Sequence, residues 1–280
     1  MLLSDYEWQA VSLSLKVSLV AVSCSLPVGI LAAWVLARCR FVGKSLLDSV
    51  IHLPLVLPPV VIGYLLLIIM GRKGVVGGWL YNWFGFSFSF SWHGAALASA
   101  VVAFPLMVRA IRLALEAVDT RLELAARTLG AGRWRVFFTI TLPLTLPGII
   151  VGTVLAFARS LGEFGATITF VSNIPGETRT IPNAMYTLIE TPGAEMQAAR
   201  LCIIAIVLSL VSLLLSEWLT RWSRKRLGDN AATGFYSATG RPDAQRRHPA
   251  SRQRDYRGVW GIRRREDFAD QRHRGPDPAG

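Results

Sequence analysis

The stretch Leu124-Ala-Ala-Arg-Thr-Leu-Gly130, followed after nine residues by Ile140-Thr-Leu142-Pro143, is a polar and basic loop between two long hydrophobic segments. Ala125 and Ala126 leave one side of a short helix flat, so another protein can approach it closely. Gly130 and Gly132 bracket a sharp change of chain direction, because glycine has no Cβ atom to restrict its backbone. The loop is therefore predicted to be a docking surface and not a membrane span.

The composition is that of a membrane protein. Of 280 residues, 52% are hydrophobic and only 17% are charged, whereas soluble domains carry about 25% charged residues. The three cysteines have no paired spacing, so neither a disulfide framework nor a metal site is predicted. The sequence also lacks a phosphate-binding Gly-Lys motif and a nucleophile constellation. It is therefore expected to have no catalytic or cofactor site and not to be an enzyme by itself.

Five segments are long and apolar enough to cross a bilayer core, which requires about 20 residues in a helix. The predicted spans are Val11 to Ala37, Leu46 to Met70, Gly94 to Leu115, Leu144 to Leu161 and Ala199 to Leu219. The expected fold is thus all-α and polytopic. Pro143 lacks an amide hydrogen and is expected to interrupt the helix between the docking loop and the fourth span.

The basic residues between the spans predict the orientation, since Lys and Arg accumulate in cytoplasmic loops. One set of loops is rich in cations: Arg38, Arg40, Lys44, Arg121, Arg127, Arg133, Arg135, Arg221, Arg224, Lys225 and Arg226. The loops on the other side hold Arg72, Lys73 and Arg179. This bias predicts an extracytoplasmic N-terminus and a cytoplasmic C-terminus, with the docking loop on the side where ATP is.

The docking loop resembles the EAA loop of ABC-importer permeases, which has two alanines, a glycine four positions later and Ile-x-Leu-Pro after nine more residues. The resemblance implies a permease fold of the MetI-like type for residues 1–227 and a cytoplasmic coupling loop at 119–143. The family has Glu directly before the alanines, whereas here Leu124 stands there and Glu123 precedes it. The coupling residues so implied are Glu123, Leu124, Ala125, Ala126, Gly130, Ala131, Gly132, Ile140, Leu142 and Pro143.

Two other interpretations of the loop remain. It is either an ordinary amphipathic connector or a DNA-binding helix-turn-helix, given the small-residue and glycine spacing of Leu124 to Val136. The second helix of such a motif would continue through Phe137 and Phe138 into the membrane, which leaves no recognition helix free for a major groove. No nucleic-acid partner is therefore expected.

A second segment, Ala158 to Thr167, resembles one shared by permeases for sulfate, molybdate and tungstate. Its continuation through Pro175 to Pro182 and Ala184 to Leu188 resembles the molybdate branch. Arg159 and Glu163 are one helical turn apart at a membrane boundary, so they are expected to pair. The hydroxyls of Thr167, Thr169 and Ser172 are candidate donors to a passing oxyanion, or else they bond the backbone of their own helix, as threonine in a membrane helix often does. The candidate gate or anion pathway comprises Arg159, Glu163, Phe164, Gly165, Thr167 and Thr169.

The resemblance implies a multi-pass protein of the bacterial inner membrane that imports molybdate by alternating access. It also implies a permease homodimer, two cytoplasmic ABC ATPase subunits that bind the ATP, a periplasmic oxyanion-binding protein and contact with membrane lipid. A sulfate or tungstate permease is the alternative within the family. An ion-coupled secondary transporter is an alternative outside it, although internal repeats typical of that class are not evident.

The segment 228–280 is basic and interrupted by proline and glycine, a composition typical of disorder. Three interpretations remain open: a basic arm on anionic lipid, a solvated end, or a translation out of the native frame. Codons for Val259 to Gln271, read one base later, permit Phe-Gly-Val-Ser-Gly-Ala-Gly-Lys-Thr-Ser-Leu-Ile-Asn. This string contains the Gly-x4-Gly-Lys-Thr phosphate loop of an ATPase. We therefore hypothesise that the segment is a downstream ATPase gene read in the wrong frame.

Overall fold

The computed structural model describes the backbone of residues 4–239 and the side-chain environments of residues 4–222. Every regular element within residues 4–239 is helical. The helices of the first half are α1 (Asp5–Arg38), α2 (Lys44–Val56), α3 (Pro59–Met70), α4 (Val75–Phe84) and α5 (Trp92–Ala117). Those of the second half are α6 (Thr120–Thr128), α7 (Arg133–Val136), a π-helical turn (Phe137–Thr141), α8 (Leu142–Leu161), α9 (Gly165–Val171), α10 (Ile181–Glu190) and α11 (Glu195–Thr239).

Four helical stretches in the described residues are long and apolar enough to cross a membrane. They are Asp5–Arg38, Trp92–Ala117, Arg133–Leu161 and Glu195–Trp222, and a bent pair of helices makes a fifth if it is counted as one span. The spans predicted from Val11, Gly94 and Ala199 each lie within one of these stretches. The all-α, polytopic fold expected from the sequence is confirmed.

The second predicted span, Leu46 to Met70, is a bent pair of helices. This segment consists of α2 and α3, whose axes differ by 116° across a short break. Pro58 caps α3 and Pro59 is in its first turn, and neither residue has an amide hydrogen to continue α2. The two prolines therefore end one helix and start another in a new direction.

Pro143 marks the join between the loop and the fourth span, as expected, but the helix is not broken there. The helical run from Arg133 to Leu161 passes through the π-helical turn before Pro143, and the amide of Leu142 donates to the carbonyl of Phe137. Pro143 lies in the first turn of α8, where a missing donor is tolerated. The docking loop thus leads into the span by a continuous helix with a local change of register.

The centre of the molecule is built from α1, α5 and α8, which pack through small residues. A Cβ atom on Gly148 of α8 would lie 2.1 Å from the Cβ of Ala114 in α5, and one on Gly152 would lie 3.2 Å from the Cβ of Ala110. Small residues at such positions let helix backbones approach closely in a membrane. The fully buried side chains of Met107 and Ile111 fill the space between these helices.

The compact body that holds the candidate sites ends at Gly228. The helix α11 is described as far as Thr239, and the disorder predicted for 228–280 stays a prediction. Residues 240–280, the remainder of that segment, lie outside the described residues.

Candidate functional site: the coupling loop and the buried ion pair

The docking loop consists of α6, a tight turn and α7. Helix α6 begins at the N-cap Asp119, whose Oδ1 accepts a hydrogen bond from the amide of Arg121 at 2.8 Å. At its end, the amide of Gly130 donates to the carbonyl of Arg127 at 3.0 Å, and that of Ala131 donates to Ala126 at 3.1 Å. These two bonds form a Schellman motif, which satisfies the last carbonyls of the helix.

The two glycines of this turn have different roles. Gly130 has a φ of +87°, the left-handed region that residues with a Cβ atom adopt only with strain. Gly132 has a φ of −64° and precedes α7 as its N-cap, so its backbone conformation is open to any residue. A Cβ atom on either glycine would meet nothing within 4 Å. The turn therefore requires glycine at Gly130 alone, and only for the backbone conformation.

Glu123 points from α6 into the body of the protein. Its Oε1 accepts hydrogen bonds from Nη2 of Arg38 at 2.8 Å and from the hydroxyl of Thr141 at 2.9 Å. The side chains of Arg38 and Glu123 are only 17% and 21% exposed. This carboxylate connects α6 to the end of α1 and to the entrance of α8, and its predicted contact with another protein stays a prediction.

The remaining coupling-loop residues fall into two groups. The exposed group forms the surface of the loop: Leu124, Ala125, Gly130 and Gly132. The partly buried group contacts the body: Ala126, Ala131, Ile140, Leu142 and Pro143. Apolar Leu124 and Leu129 are 57% and 89% exposed. The structure thus brings the predicted residues together as one exposed turn on a buried base.

The expected pair of Arg159 and Glu163 is present. Nη1 of Arg159 lies 2.7 Å from Oε2 of Glu163, whose side chain is 1% exposed. Oε1 of the same carboxylate accepts the amide of Ala166 at 2.9 Å, in the first turn of α9. A buried carboxylate is stable only when it is paired and hydrogen-bonded. Glu163 therefore joins the end of α8 to the start of α9.

The structure does not leave the threonine hydroxyls of α9 free to donate to an anion. The hydroxyl of Thr167 donates to the carbonyl of Phe164 at 2.9 Å, and that of Thr169 donates to Gly165 at 2.8 Å. Thr167 is fully buried. In apolar surroundings a hydroxyl commonly bonds the preceding turn of its own helix, and the contact of these threonines with an anion stays a prediction.

Gly165 and Phe164 place α9 against its neighbours. A Cβ atom on Gly165 would lie 2.9 Å from Cβ of Pro59, at the start of α3. The ring of Phe164 lies 5.3 Å from that of Tyr186 in α10, and both line an apolar cavity of about 280 Å³. A hydrogen bond to Glu190 raises the pKa of Tyr186. The candidate gate is thus a short helix packed against α3 and α5, with Phe164 at its start in contact with α10.

Sequence reasoning missed the serines on the buried face of α1. The hydroxyl of Ser14 accepts the amide of Ile181 at 2.7 Å, and that of Ser18 bonds Ser160 at 3.1 Å. These bonds anchor α10 and α8 to α1. The sequence does contain a signal for this buried face, because serines one turn apart in an apolar span lie on the same side of the helix.

The chain matches, over residues 25–229, the family model described as the binding-protein-dependent transport system inner membrane component. It is 77% identical over 228 residues to the molybdenum transport system permease protein ModB of Escherichia coli (strain K12), covering 81% of this chain and 100% of that protein. It is 68% identical over 222 residues to the ModB protein of Haemophilus influenzae, covering 79% of this chain and 97% of that protein. The sulfate transport system permease protein CysW of Synechocystis is 36% identical to this chain over 211 residues, covering 74% of this chain and 76% of that protein.

Solved structures agree in fold. A bacterial ABC transporter involved in the import of alginate superimposes with a TM-score of 0.63 at 21% identity, covering 78% of this chain and 80% of that one. The MetNI methionine ABC transporter in an inward-facing conformation gives a TM-score of 0.56 at 14% identity, covering 78% of this chain and 94% of that one. The helical architecture, the family model and the relatives agree, and the chain belongs to the family of inner-membrane components of binding-protein-dependent transport systems.

Proposed function

We propose that this chain is the membrane-spanning subunit of a molybdate importer that works by alternating access and is driven by a cytoplasmic ATPase. The observation that carries the substrate is the 77% identity to a molybdenum permease over that protein's whole length. The relatives named above are transport permeases and not enzymes. The chain accordingly supplies the pathway, and ATP is bound by its partner.

The proposed coupling surface is the exposed turn of the docking loop. Leu124, Ala125 and Leu129 are exposed there, and Schellman bonds fix the turn that follows them. A rigid protruding turn can transmit the closure of an ATPase, because it does not collapse when it is pushed. The bond from Glu123 to Arg38 carries such a push into α1.

The proposed assembly contains two copies of this chain, two ATPase subunits and a periplasmic oxyanion-binding protein. The family is named for its dependence on a binding protein. One solved neighbour is an alginate ABC transporter in complex with a periplasmic protein that holds an alginate pentasaccharide. For this chain the delivered ligand is an oxyanion.

The Arg159–Glu163 pair is proposed to hold the gate. Because one carboxylate binds both the guanidinium group and the first turn of α9, moving α8 must move α9 with it. Arg159 is 32% exposed at the side chain, so it remains accessible beside the proposed path. Thr167 and Thr169 stabilise α9 itself and are not proposed as ligands of the anion.

The alternative functions receive less support. The helix after the Gly130 turn continues into the Arg133–Leu161 span, so a DNA-recognition helix is not free. Membership of a binding-protein-dependent family argues against an ion-coupled secondary transporter. Within the family, a sulfate or tungstate permease is the competing proposal. The 36% identity to the sulfate permease CysW supports it, but this identity is lower than the 77% identity to the molybdenum permease.

Uptake of radiolabelled oxyanions by cells tests the substrate. Cells that contain this chain and its ATPase are expected to take up molybdate, and excess unlabelled molybdate should compete far better than sulfate. Cells that lack the chain are the control. Equal competition by sulfate, or uptake of sulfate alone, would overturn the molybdate assignment while leaving the family assignment intact.

A further inference from the structure

Two cavities meet beneath the docking loop. One, of about 430 Å³, is lined mainly by polar residues, and the other, of about 380 Å³, is lined mainly by apolar ones. Both are bounded by Trp34 of α1, Arg133 of α7 and Phe137 of the π-helical turn. The rings of Trp34 and Phe137 lie edge to face with centroids 6.2 Å apart, so they form a fixed wall between the cavities.

The polar cavity has an excess of positive charge. Arg38, Arg127 and Arg133 line it together with a single carboxylate, that of Glu123. The carboxylate is already paired with Arg38 at 2.8 Å. Within the part of the chain that the structure describes, the guanidinium groups of Arg127 and Arg133 have neither an ion-pair nor a hydrogen-bond partner. Two guanidinium groups therefore remain available to an anion.

The apolar cavity is a groove along α1. Pro27, Ile30 and Leu31 line it between Trp34 and the inner part of the helix. Pro27 precedes Trp34 by seven residues, so the groove extends roughly 10 Å along the helix at 1.5 Å per residue. The predicted orientation puts Arg38 at the cytoplasmic membrane surface, and tryptophan is typical of that level. The groove therefore runs from the cytoplasmic surface toward the bilayer centre.

We propose that these cavities bind one anionic phospholipid of the cytoplasmic leaflet. Its phosphate pairs with Arg127 and Arg133, and an acyl chain lies along Pro27, Leu31 and Trp34. Basic pockets between membrane helices on the cytoplasmic side suit anionic headgroups. A free anion would use the charge but leave the groove empty, whereas a phospholipid satisfies both. The lipid would hold the docking loop against α1 at the side of the Arg38–Glu123 pair.

Native mass spectrometry of the full chain, titrated with phosphatidylglycerol or phosphatidylcholine, tests this proposal. The unaltered chain is expected to retain phosphatidylglycerol preferentially. The R127Q/R133Q double variant should reduce that preference about thirtyfold, because each cation near an anionic surface contributes about 1 kcal/mol. The matched control R121Q/R135Q removes the same charge from exposed residues of the same loop that line neither cavity, and it should retain the preference. Leu31→Trp, which fills the groove, should weaken binding of the lipid.

Several results would overturn the proposal. Equal retention of the two lipids would do so, as would equal loss in both double variants. Displacement of the lipid by millimolar inorganic phosphate would indicate a site for a free anion, and unchanged binding in Leu31→Trp would exclude the acyl groove. Disulfide cross-linking of Leu31→Cys between two copies, above the level of the unaltered chain, would identify the groove as an interface between copies. None of these measurements depends on uptake, so their failure is separable from failure of the proposed function.

Discussion

Gly130 determines the shape of the docking loop through its backbone conformation. Its φ of +87° allows the chain to reverse while the amides of Gly130 and Ala131 bond the end of α6. An ordinary residue in this region costs roughly 1–2 kcal/mol. The turn is local, so the sequence alone predicted it from the glycines after the alanines, although only Gly130 has the left-handed backbone conformation that requires glycine.

A valine at each of the two loop glycines separates backbone strain from added bulk. Gly130→Val is expected to weaken the turn and lower molybdate transported per ATP hydrolysed roughly fivefold or more, since 1–2 kcal/mol corresponds to about that change in population. Gly132→Val, at a φ of −64°, should leave the amount of molybdate transported per ATP hydrolysed near that of the unaltered chain. Parallel measurement of uptake and ATP hydrolysis checks this. Equal effects of the two changes would contradict the role given to the Gly130 turn.

The partner of Glu123 could not be predicted at the residue scale. Arg38 lies 85 residues earlier in the chain, and no local pattern relates the two. The sequence indicated only that an acid stands near the alanines, and the nearest functional interpretation was a contact with another protein. The structure instead has the carboxylate bound within the same chain, because a partly buried acid requires a charged or hydrogen-bonding partner.

At the scale of elements, the docking loop is held to the body by the contact between α6 and α1. A double-mutant cycle of Arg38→Met and Glu123→Gln tests this by thermal unfolding in detergent. We expect each single change to lower Tm and the double change to add little, with a coupling of about 1 kcal/mol. Glu217→Gln breaks an exposed pair whose side chains are 62% and 74% exposed, and it should leave Tm nearly unchanged. Strict additivity of the two changes would mean that the pair does not connect these helices.

The ion pair between the ends of α8 and α9 leads to a second prediction at this scale. Arg159→Gln and Glu163→Gln are each expected to lower the maximal uptake rate by a similar factor, because either change breaks the same connection. The half-saturation concentration for molybdate should change little. If Arg159→Gln alone raised that concentration, Arg159 would contact the anion directly, and the positioning role would be wrong.

The elements that the sequence predicted best were those with a strong local signal. The long apolar runs became α1, α5 and α11 because burial in lipid requires an unbroken helix. The bend between α2 and α3 was missed, although Pro58 and Pro59 are both visible in the sequence, because hydropathy alone does not register a change of direction. The π-helical turn before Pro143 was missed because its register depends on packing against the neighbouring helices.

For the whole molecule, we propose that residues 1–227 suffice for transport and that 228–280 is a reading-frame artefact. The family match ends at residue 229, and 228 residues of this chain align with the whole of the Escherichia coli relative. A chain ending at Gly228 is therefore expected to give the same uptake rate as the full chain when both are present in the membrane in equal amounts. A loss of uptake at equal abundance would assign a function to the segment after Gly228.

The central claim is that the docking loop converts ATP hydrolysis into oxyanion movement. Its most direct test is molybdate accumulation in proteoliposomes that contain the full chain, its ATPase and its binding protein, with ATP enclosed on the side of the loop. We predict that molybdate accumulation requires ATP, stops with vanadate and continues with an uncoupler. Accumulation without ATP that an uncoupler abolishes would contradict the account.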